Sequence, residues 1–315
     1  MRSIWLWSLP MLTILLFGEA HTANASSASD GKIVETSAYS FPACGKVEGL
    51  EFYASQSEYE KAVGDTRYEF RKLKYLSDDL KVVAYLYKPA QLPSQKLPLI
   101  IFNRGSGPTG DSAPLLISLF HRLAAAGYVI LAPQYRGSDG GEGRDEIGGA
   151  DVADVKNMVP LARSLGFVDM DNVFLYGESR GGMMVYQALR DAMPVNAAAV
   201  FGAFIDLEIM NQSPYVQKII PQIWPDYDAH KTEIIRRRSA KYWPEKFSVP
   251  ILIMNGGADQ QVNPSQPLQF ALQLQELGKP YGLIIYAGDN HFLQANREDR
   301  DNRALAWFAA NRKKN

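Results

Sequence analysis

Residues 173–184 read VFLYGESRGGMM, and they are the strongest indication of fold in the sequence. An apolar run ends at Gly177, Ser179 follows it, and Gly181 and Gly182 come directly afterwards. The pattern Gly-x-Ser-x-Gly between a strand and a helix predicts a nucleophile elbow, a tight turn that lifts the serine hydroxyl clear of a sheet. The alternative is that the serine merely caps the helix, so the prediction depends on what the rest of the chain supplies.

Strand-like and helical segments alternate on both sides of the elbow. Two alternating segments that flank Asp78 and Asp79 predict a hairpin. Further strands are predicted at Pro98–Phe102, Tyr128–Leu131, Asn172–Tyr176, Ala197–Phe201, Ile251–Met254 and Leu283–Tyr286. Leu115, Leu119 and Leu123 recur every four residues, which is typical of a helix between two of these strands. Apolar strands separated by helices indicate an α/β fold, in which a mostly parallel, doubly wound sheet is covered on both faces.

The chain divides into regions of different composition. Residues 1–25 combine a basic start, an apolar run too short to span a bilayer and a small-residue cleavage site, as expected for a secretory signal peptide. Residues 26–66 are predicted to form an N-terminal leader, loose at its Ser-, Ala- and Thr-rich start, and residues 67–315 form the main α/β domain. Prolines and aromatic residues interrupt the strand–helix rhythm at 205–247, which predicts a helical cap insertion.

Composition and charge exclude several classes of protein. With 315 residues and 46% hydrophobic content, the chain is able to bury a substantial core. A formal net charge of -1 gives no electrostatic reason to expect nucleic acid or a membrane surface as partner. Cys44 is the only cysteine, so no internal disulfide is expected. The signal peptide predicts a secreted or periplasmic protein without stable membrane association after cleavage, and an uncleaved anchor is the alternative.

A serine nucleophile needs a histidine base and an acid that orients it, and this fold supplies them in the order Ser, acid, His. Of the four histidines, one lies in the signal peptide, His121 precedes the serine, and His230 lies in the predicted cap. His291 follows a late strand and is the predicted base. Asp259 follows the preceding strand in a glycine-rich loop and is the predicted acid. Asp289 is the alternative, although two side chains so close in one tight loop rarely face each other.

The negative oxygen that develops during acyl transfer needs hydrogen-bond donors fixed in advance. The backbone N–H of Arg180, at the start of the helix, is the first predicted donor. The second is expected in the loop after the strand Pro98–Phe102, from either the Asn103 side chain or the Arg104 N–H. Glycines in this loop let its backbone approach the serine closely, and an ordinary glycine loop is the alternative.

Several longer segments carry a resemblance to a known family. They are QYRGSDGGEG at 134–143, the helix, strand and elbow at 148–182, VPILIMNGGADQQVNPSQ at 249–266, and GDNHF at 288–292. With these segments the chain resembles the catalytic domain of the prolyl oligopeptidase family of serine peptidases, within the α/β-hydrolase fold. The resemblance covers most of the chain after the predicted leader.

The resemblance implies a function and a set of site residues. Ser179, Asp259 and His291 would form the catalytic triad of a peptidase-like serine hydrolase that works through an acyl-enzyme on small-molecule or short peptide substrates. No metal or organic cofactor is implied. Larger members of the family carry a β-propeller, and the predicted leader is too short to hold one. A carboxylesterase for small acyl esters is the close alternative, and a hydrolase-fold binding protein without catalysis is a remote one.

The elbow departs from the family pattern at its two variable positions, which hold Glu178 and Arg180. We expect Arg180 to pair with Glu178 or with a carboxylate of the cap, rather than to bind an acidic group of the substrate. Arg136 and Asp154 resemble structural residues of the family, and we expect no catalytic role for them.

Overall fold

One mixed sheet lies at the centre of the described chain. The structure is a computed structural model that describes residues 27–105, 110–210, 220 and 222–314, so the predicted signal peptide lies outside the described residues. The strands are β1 Ile33–Ala38, β2 Tyr68–Ser77, β3 Leu80–Pro89, β4 Leu97–Asn103, β5 Val129–Pro133, β6 Val168–Glu178, β7 Ala197–Phe201, β8 Ile251–Gly256 and β9 Tyr281–Tyr286. They form a nine-stranded sheet in the order β1-β2-β3-β5-β4-β6-β7-β8-β9.

Helices lie between these strands. They are α1 Leu50–Tyr53, α2 Gln56–Gly64, α3 Ala113–Ala125, α4 Val152–Lys156, α5 Met158–Ser164, α6 Arg180–Arg190, α7 Leu207–Met210, α8 Tyr227–Arg238, α9 Ser265–Glu276 and α10 Arg297–Ala310. No helix among the described residues is both long enough and apolar enough to cross a bilayer.

The topology confirms the predicted mostly parallel α/β sheet with an antiparallel hairpin at its start. The hairpin strands β2 and β3 are in antiparallel register from Tyr68 opposite Pro89 to Ser77 opposite Leu80. The turn between them has positive φ angles, 49° at Asp78 and 62° at Asp79. Turns with positive φ at both central residues match the twist of the two strands that they join. From β5 to β9, neighbouring strands in the sheet run parallel.

The two faces of the sheet bury separate hydrophobic cores. Successive side chains of a strand point to opposite faces, so Leu99 and Ile101 of β4 enter one core while Ile100 and Phe102 enter the other. Helices α4, α5, α6 and α9 cover the first core, and α3 and α10 cover the second. Because helices cover both faces of the sheet, the central strands are apolar at successive positions and do not alternate between apolar and polar residues.

The segment predicted as the N-terminal leader contains regular secondary structure. It contains β1, α1 and α2, and the side chain of Ser55 and that of Glu58 form a capping box at the start of α2. The prediction of a loose chain is wrong for β1, which pairs antiparallel with β2. Most residues of β1 are exposed, so backbone hydrogen bonds rather than apolar side chains hold this edge strand.

The predicted helical insertion lies between β7 and β8. Its described part contains α7, α8 and two short 3₁₀ turns, and residues 211–219 and 221 lie outside the described residues. The side chain of Arg238, at the end of α8, attaches the insertion to the body of the domain. Its Nε donates to the carbonyl oxygen of Ile147 at 2.7 Å, and its guanidinium lies 4.7 Å from the ring centroid of Trp224.

Candidate active site

The elbow between β6 and α6 forces the backbone of Ser179 into a strained conformation, with φ 52° and ψ −120°. Glycine is required on both sides of it. A Cβ at Gly177 would lie 2.6 Å from the carbonyl oxygen of Gly181, and one at Gly181 would overlap the carbonyl oxygen of Asn103. The Ser179 side chain makes no capping hydrogen bond to α6. The geometry is therefore that of a nucleophile elbow and not that of a simple helix cap.

The structure brings the three predicted side chains together at the carboxyl ends of the parallel strands. Nε2 of His291 lies 2.9 Å from Oγ of Ser179, and Nδ1 of His291 lies 2.8 Å from Oδ2 of Asp259. The carboxylate accepts and cannot donate, so the proton of the neutral imidazole is placed on Nδ1. Nε2 is then an acceptor directed at the serine hydroxyl. The three side chains are buried, with 7%, 5% and 4% exposure in the order Ser179, His291, Asp259.

Asp259, and not the alternative Asp289, contacts the imidazole. Oδ1 of Asp259 accepts two hydrogen bonds from backbone N–H groups of its own loop, which leaves Oδ2 for His291. The carboxylate of Asp289 instead accepts hydrogen bonds from the turn that follows the histidine, including the N–H of Asn296 at 3.1 Å. These bonds make Asp289 a residue that stabilises the loop.

The two histidines that the sequence analysis set aside lie outside the triad. His121 is buried, with its Nε2 2.9 Å from Oδ2 of Asp65 and its ring against the edge of Tyr68. His230 lies on α8 in the insertion. Hydrogen bonds between described residues connect neither histidine to Ser179. Among the same residues, no group of His, Cys, Asp and Glu side chains is arranged to hold a metal ion.

The loop after β4 approaches the serine, as predicted for an oxyanion loop. A Cβ on Gly105 would lie only 3.3 Å from Cβ of Ser179, so the backbone here passes against the nucleophile. The Asn103 side chain is fully buried, and its Nδ2 donates to the carbonyl oxygen of Ile101 at 3.2 Å. That bond turns the amide back along its own strand and argues against Asn103 as the second donor. The Arg104 N–H stays the predicted one.

Comparison with known proteins assigns the chain to a family. Residues 117–315 match the model of the prolyl oligopeptidase family. The chain belongs to the prolyl oligopeptidase family. This membership, in a family of serine peptidases, confirms the resemblance drawn from the sequence.

Its relatives differ in length. A Bacillus subtilis protein described as uncharacterized peptidase YtmA is 26% identical over 240 residues, which cover 76% of this chain and 92% of that protein. Dipeptidyl peptidase 8 of Mus musculus is 26% identical over 225 residues, which cover 66% of this chain but 25% of the mouse protein. A solved structure of a Mycobacterium tuberculosis puromycin-hydrolyzing peptidase has a TM-score of 0.70 at 20% identity, covering 80% of this chain and 41% of that one. The chain spans less than half of these two larger proteins, and the structural likeness shows the α/β-hydrolase fold.

The structure shows the partners of Arg180, the residue that directly follows Ser179 in the elbow. The prediction that it is paired is right, but the predicted partners are wrong. Its guanidinium donates to Asp145 and Asp151, at 2.5 to 2.7 Å, from the loop between β5 and α4. Glu178 contacts α1, so the two side chains that flank the serine are directed to different parts of the molecule.

Tyr53 is a residue of the site that sequence reasoning missed. Its hydroxyl donates to Oε1 of Glu178 at 3.0 Å, across 125 positions of the sequence. Burial raises the pKa of the Glu178 carboxyl, and the hydrogen bond from Tyr53 partly offsets that rise. The Tyr53 ring also packs edge-on against Phe292, next to the catalytic candidate His291. The N-terminal segment thus contacts both the elbow and the histidine loop.

The Tyr53→Phe substitution is expected to destabilise the fold by about 1.5–3 kcal/mol, because it removes a donor from a buried carboxylate. Tyr59→Phe is the matched control, since its hydroxyl donates to the neutral carbonyl oxygen of Pro42 at 2.7 Å and its loss is expected to cost about 0.5–1.5 kcal/mol. Urea unfolding of the two variants measures the difference. Equal losses of stability in the two variants would show that the hydrogen bond from Tyr53 to the Glu178 carboxylate is no stronger than one to a neutral carbonyl oxygen.

Proposed function

We propose that this chain is a serine hydrolase in which Ser179, His291 and Asp259 act as a catalytic triad on small peptide or amide substrates. The observation that carries the proposal is the continuous hydrogen-bonded line from Oδ2 of Asp259 through the imidazole to the serine hydroxyl, at 2.8 and 2.9 Å. A serine in such a line, on a strained elbow, is typical of enzymes that attack carbonyl groups. Membership of the prolyl oligopeptidase family supports amide bonds as the target.

The proposed reaction has two halves. In the first, Oγ of Ser179 attacks the carbonyl carbon while Nε2 of His291 takes the hydroxyl proton, and Asp259 stabilises the imidazolium that forms. The histidine then gives this proton to the leaving amine, the carbon–nitrogen bond breaks, and an acyl group stays on the serine. In the second half, water attacks the acyl carbon while the histidine takes its proton. The bond between the acyl carbon and Oγ of Ser179 then breaks, the histidine returns the proton to Oγ, and the acid product leaves.

The negative oxygen of each tetrahedral intermediate is expected to lie between the loop after β4 and the start of α6. The Arg180 N–H is the first proposed donor, at the positive end of the α6 dipole, and the Arg104 N–H is the second. Removal of one such donor typically lowers kcat by about 10²–10³-fold. The close approach of Gly105 to Ser179 supports the placement of the second donor.

The N-terminal segment supports a preference for small substrates. Helix α1 lies against the histidine loop, where the Phe52 and Phe292 ring centroids are 5.0 Å apart. The side chain of Gln294 also donates to the carbonyl oxygen of Glu51 at 3.0 Å. We propose that these contacts form a wall on one side of the triad and that this wall limits the size of the group bound there.

A labelling and substrate experiment tests this proposal. A fluorophosphonate probe is expected to label the folded protein, and peptide mapping is expected to find the label on Ser179. Hydrolysis of aminoacyl and blocked dipeptidyl p-nitroanilides is then compared with that of short-chain p-nitrophenyl esters. We expect both classes to be hydrolysed. Turnover of esters with no amide hydrolysis would make the protein a carboxylesterase, and a folded protein that takes no label would contradict catalysis altogether.

A further inference from the structure

A buried cluster of charges lies beside the elbow, and the proposed reaction does not use its side chains. Arg180 donates through Nη1 to Oδ2 of Asp145 at 2.7 Å and through Nη2 to Oδ2 of Asp151 at 2.7 Å. The three side chains are almost fully buried, with 1%, 4% and 0% exposure in the order Arg180, Asp145, Asp151. Buried charges are costly unless they are fully paired, so this cluster fixes the position of its members.

Arg104, the residue of the second proposed donor, is tied to the same part of the chain. Its Nη2 donates to the carbonyl oxygen of Gln134 at 2.8 Å and to Oγ of Ser138 at 3.0 Å. Its Nη1 donates to the carbonyl oxygen of Gly105 at 2.9 Å, within its own loop. The segment 134–151 therefore binds the side chains of both Arg104 and Arg180. The backbone N–H groups of these two residues are the proposed oxyanion donors.

Tyr135 connects the two halves of this arrangement. Its ring centroid lies 4.4 Å from Cζ of Arg180 and 5.0 Å from Cζ of Arg104. Its hydroxyl donates to the backbone carbonyl oxygen of Arg104 at 3.1 Å. Tyr135 is fully buried and has a positive φ of 65°, a conformation that a large residue adopts only where the surroundings enforce it. One ring thus contacts both guanidinium groups and also the backbone that carries one proposed donor.

We propose that Tyr135, Asp145 and Asp151 are positioning residues for the oxyanion hole, which set the distance between the Arg180 and Arg104 N–H groups. This inference rests on the proposed hydrolase function. Donors stabilise a transition state most when they need no reorganisation during the reaction, and a misplacement of about 1 Å can cost about 10²-fold in rate. The inference also gives a role to Arg180: its side chain holds the first residue of α6 in place while its N–H faces the reaction.

The test compares Asp145→Asn with Asp154→Asn. Asp154 is also fully buried and pairs with an arginine, since it accepts from Arg136 Nη2 at 2.7 Å, but its hydrogen bonds reach neither Arg104 nor Arg180. Both variants are expected to unfold at lower temperature than the wild type. Assays run well below both midpoints are expected to show kcat lowered about 10- to 100-fold in Asp145→Asn, with KM within about twofold. Asp154→Asn is expected to keep the wild-type kcat.

Binding of 2,2,2-trifluoroacetophenone gives a second readout that a merely structural role would not change. The serine Oγ attacks its carbonyl carbon, and the carbonyl oxygen becomes an oxyanion in the oxyanion hole. The inhibition constant of the ketone should therefore rise in Asp145→Asn by the same factor by which kcat falls. If Asp145→Asn does not fold, Tyr135→Phe replaces it, because it removes one hydroxyl and keeps the ring; a kcat lowered about 3- to 10-fold is expected. Equal kcat and inhibition constants in the test and control variants would overturn the inference. A wild-type protein that hydrolyses nothing would instead contradict the proposed function.

Discussion

The Ser179→Ala variant is expected to lose about five to six orders of magnitude in kcat, because among the described residues Ser179 is the nucleophile that hydrogen-bonds to Nε2 of His291. The fold should tolerate the change, since the side chain makes no capping bond to α6 and its only described hydrogen bond is to His291. Initial rates on the most active substrate and labelling with a fluorophosphonate probe both measure the loss. Thermal unfolding shows whether the variant is still folded.

Ser118→Ala is the matched control for this experiment. Ser118 is another buried serine, with 2% exposure, on α3. Its replacement is expected to leave labelling and kcat at the wild-type level. Labelling of Ser179→Ala as strong as that of the wild type would show that another nucleophile reacts with the probe.

The Asp259→Asn variant is expected to lower kcat by about 10⁴-fold with little loss of stability. An amide nitrogen in place of Oδ2 would donate to Nδ1 of His291 and so favour the tautomer with the proton on Nε2. That tautomer cannot accept the proton of Ser179. The amide oxygen would still accept the N–H of Val262, which Asp259 binds at 2.9 Å, so the loop is expected to keep its conformation.

The Asp289→Asn variant tests which of the two candidate aspartates orients His291. Asp289 accepts hydrogen bonds from the loop around Asn296 and does not contact the imidazole among the described contacts. Its replacement is expected to weaken that loop while kcat falls less than about tenfold. If Asp289→Asn lost four orders of magnitude and Asp259→Asn did not, the assignment of the acid would be wrong.

Much of the sheet can be predicted from the sequence because its central strands are apolar runs between turn residues. Strand β7 has the predicted bounds, Ala197–Phe201, and the hairpin of β2 and β3 turns at the two predicted aspartates. Strand β1 was not predicted, because its mostly exposed side chains carry no hydrophobic alternation. Its position depends on backbone pairing with β2, to which the identity of its side chains contributes little.

The residues of the candidate site also divide into those that the sequence predicts and those that it does not. Ser179, His291 and Asp259 could be found because the fold fixes their order and places each at the end of a strand. The partners of the elbow side chains could not be found in this way. Asp145 meets Arg180 across 35 positions and Tyr53 meets Glu178 across 125, so these contacts depend on how distant segments pack.

The order of the sheet strands has a consequence for where the protein can be divided. The family match begins at residue 117, inside α3, after β4 has ended. Yet β4 lies in the sheet between β5 and β6, which both follow it in the chain. A fragment that began at the family boundary would lack both β3 and β4, so both edges of β5 and one edge of β6 would be left unpaired. Because β4 of the first part has to insert between β5 and β6 of the second, we expect the two parts to fold only together.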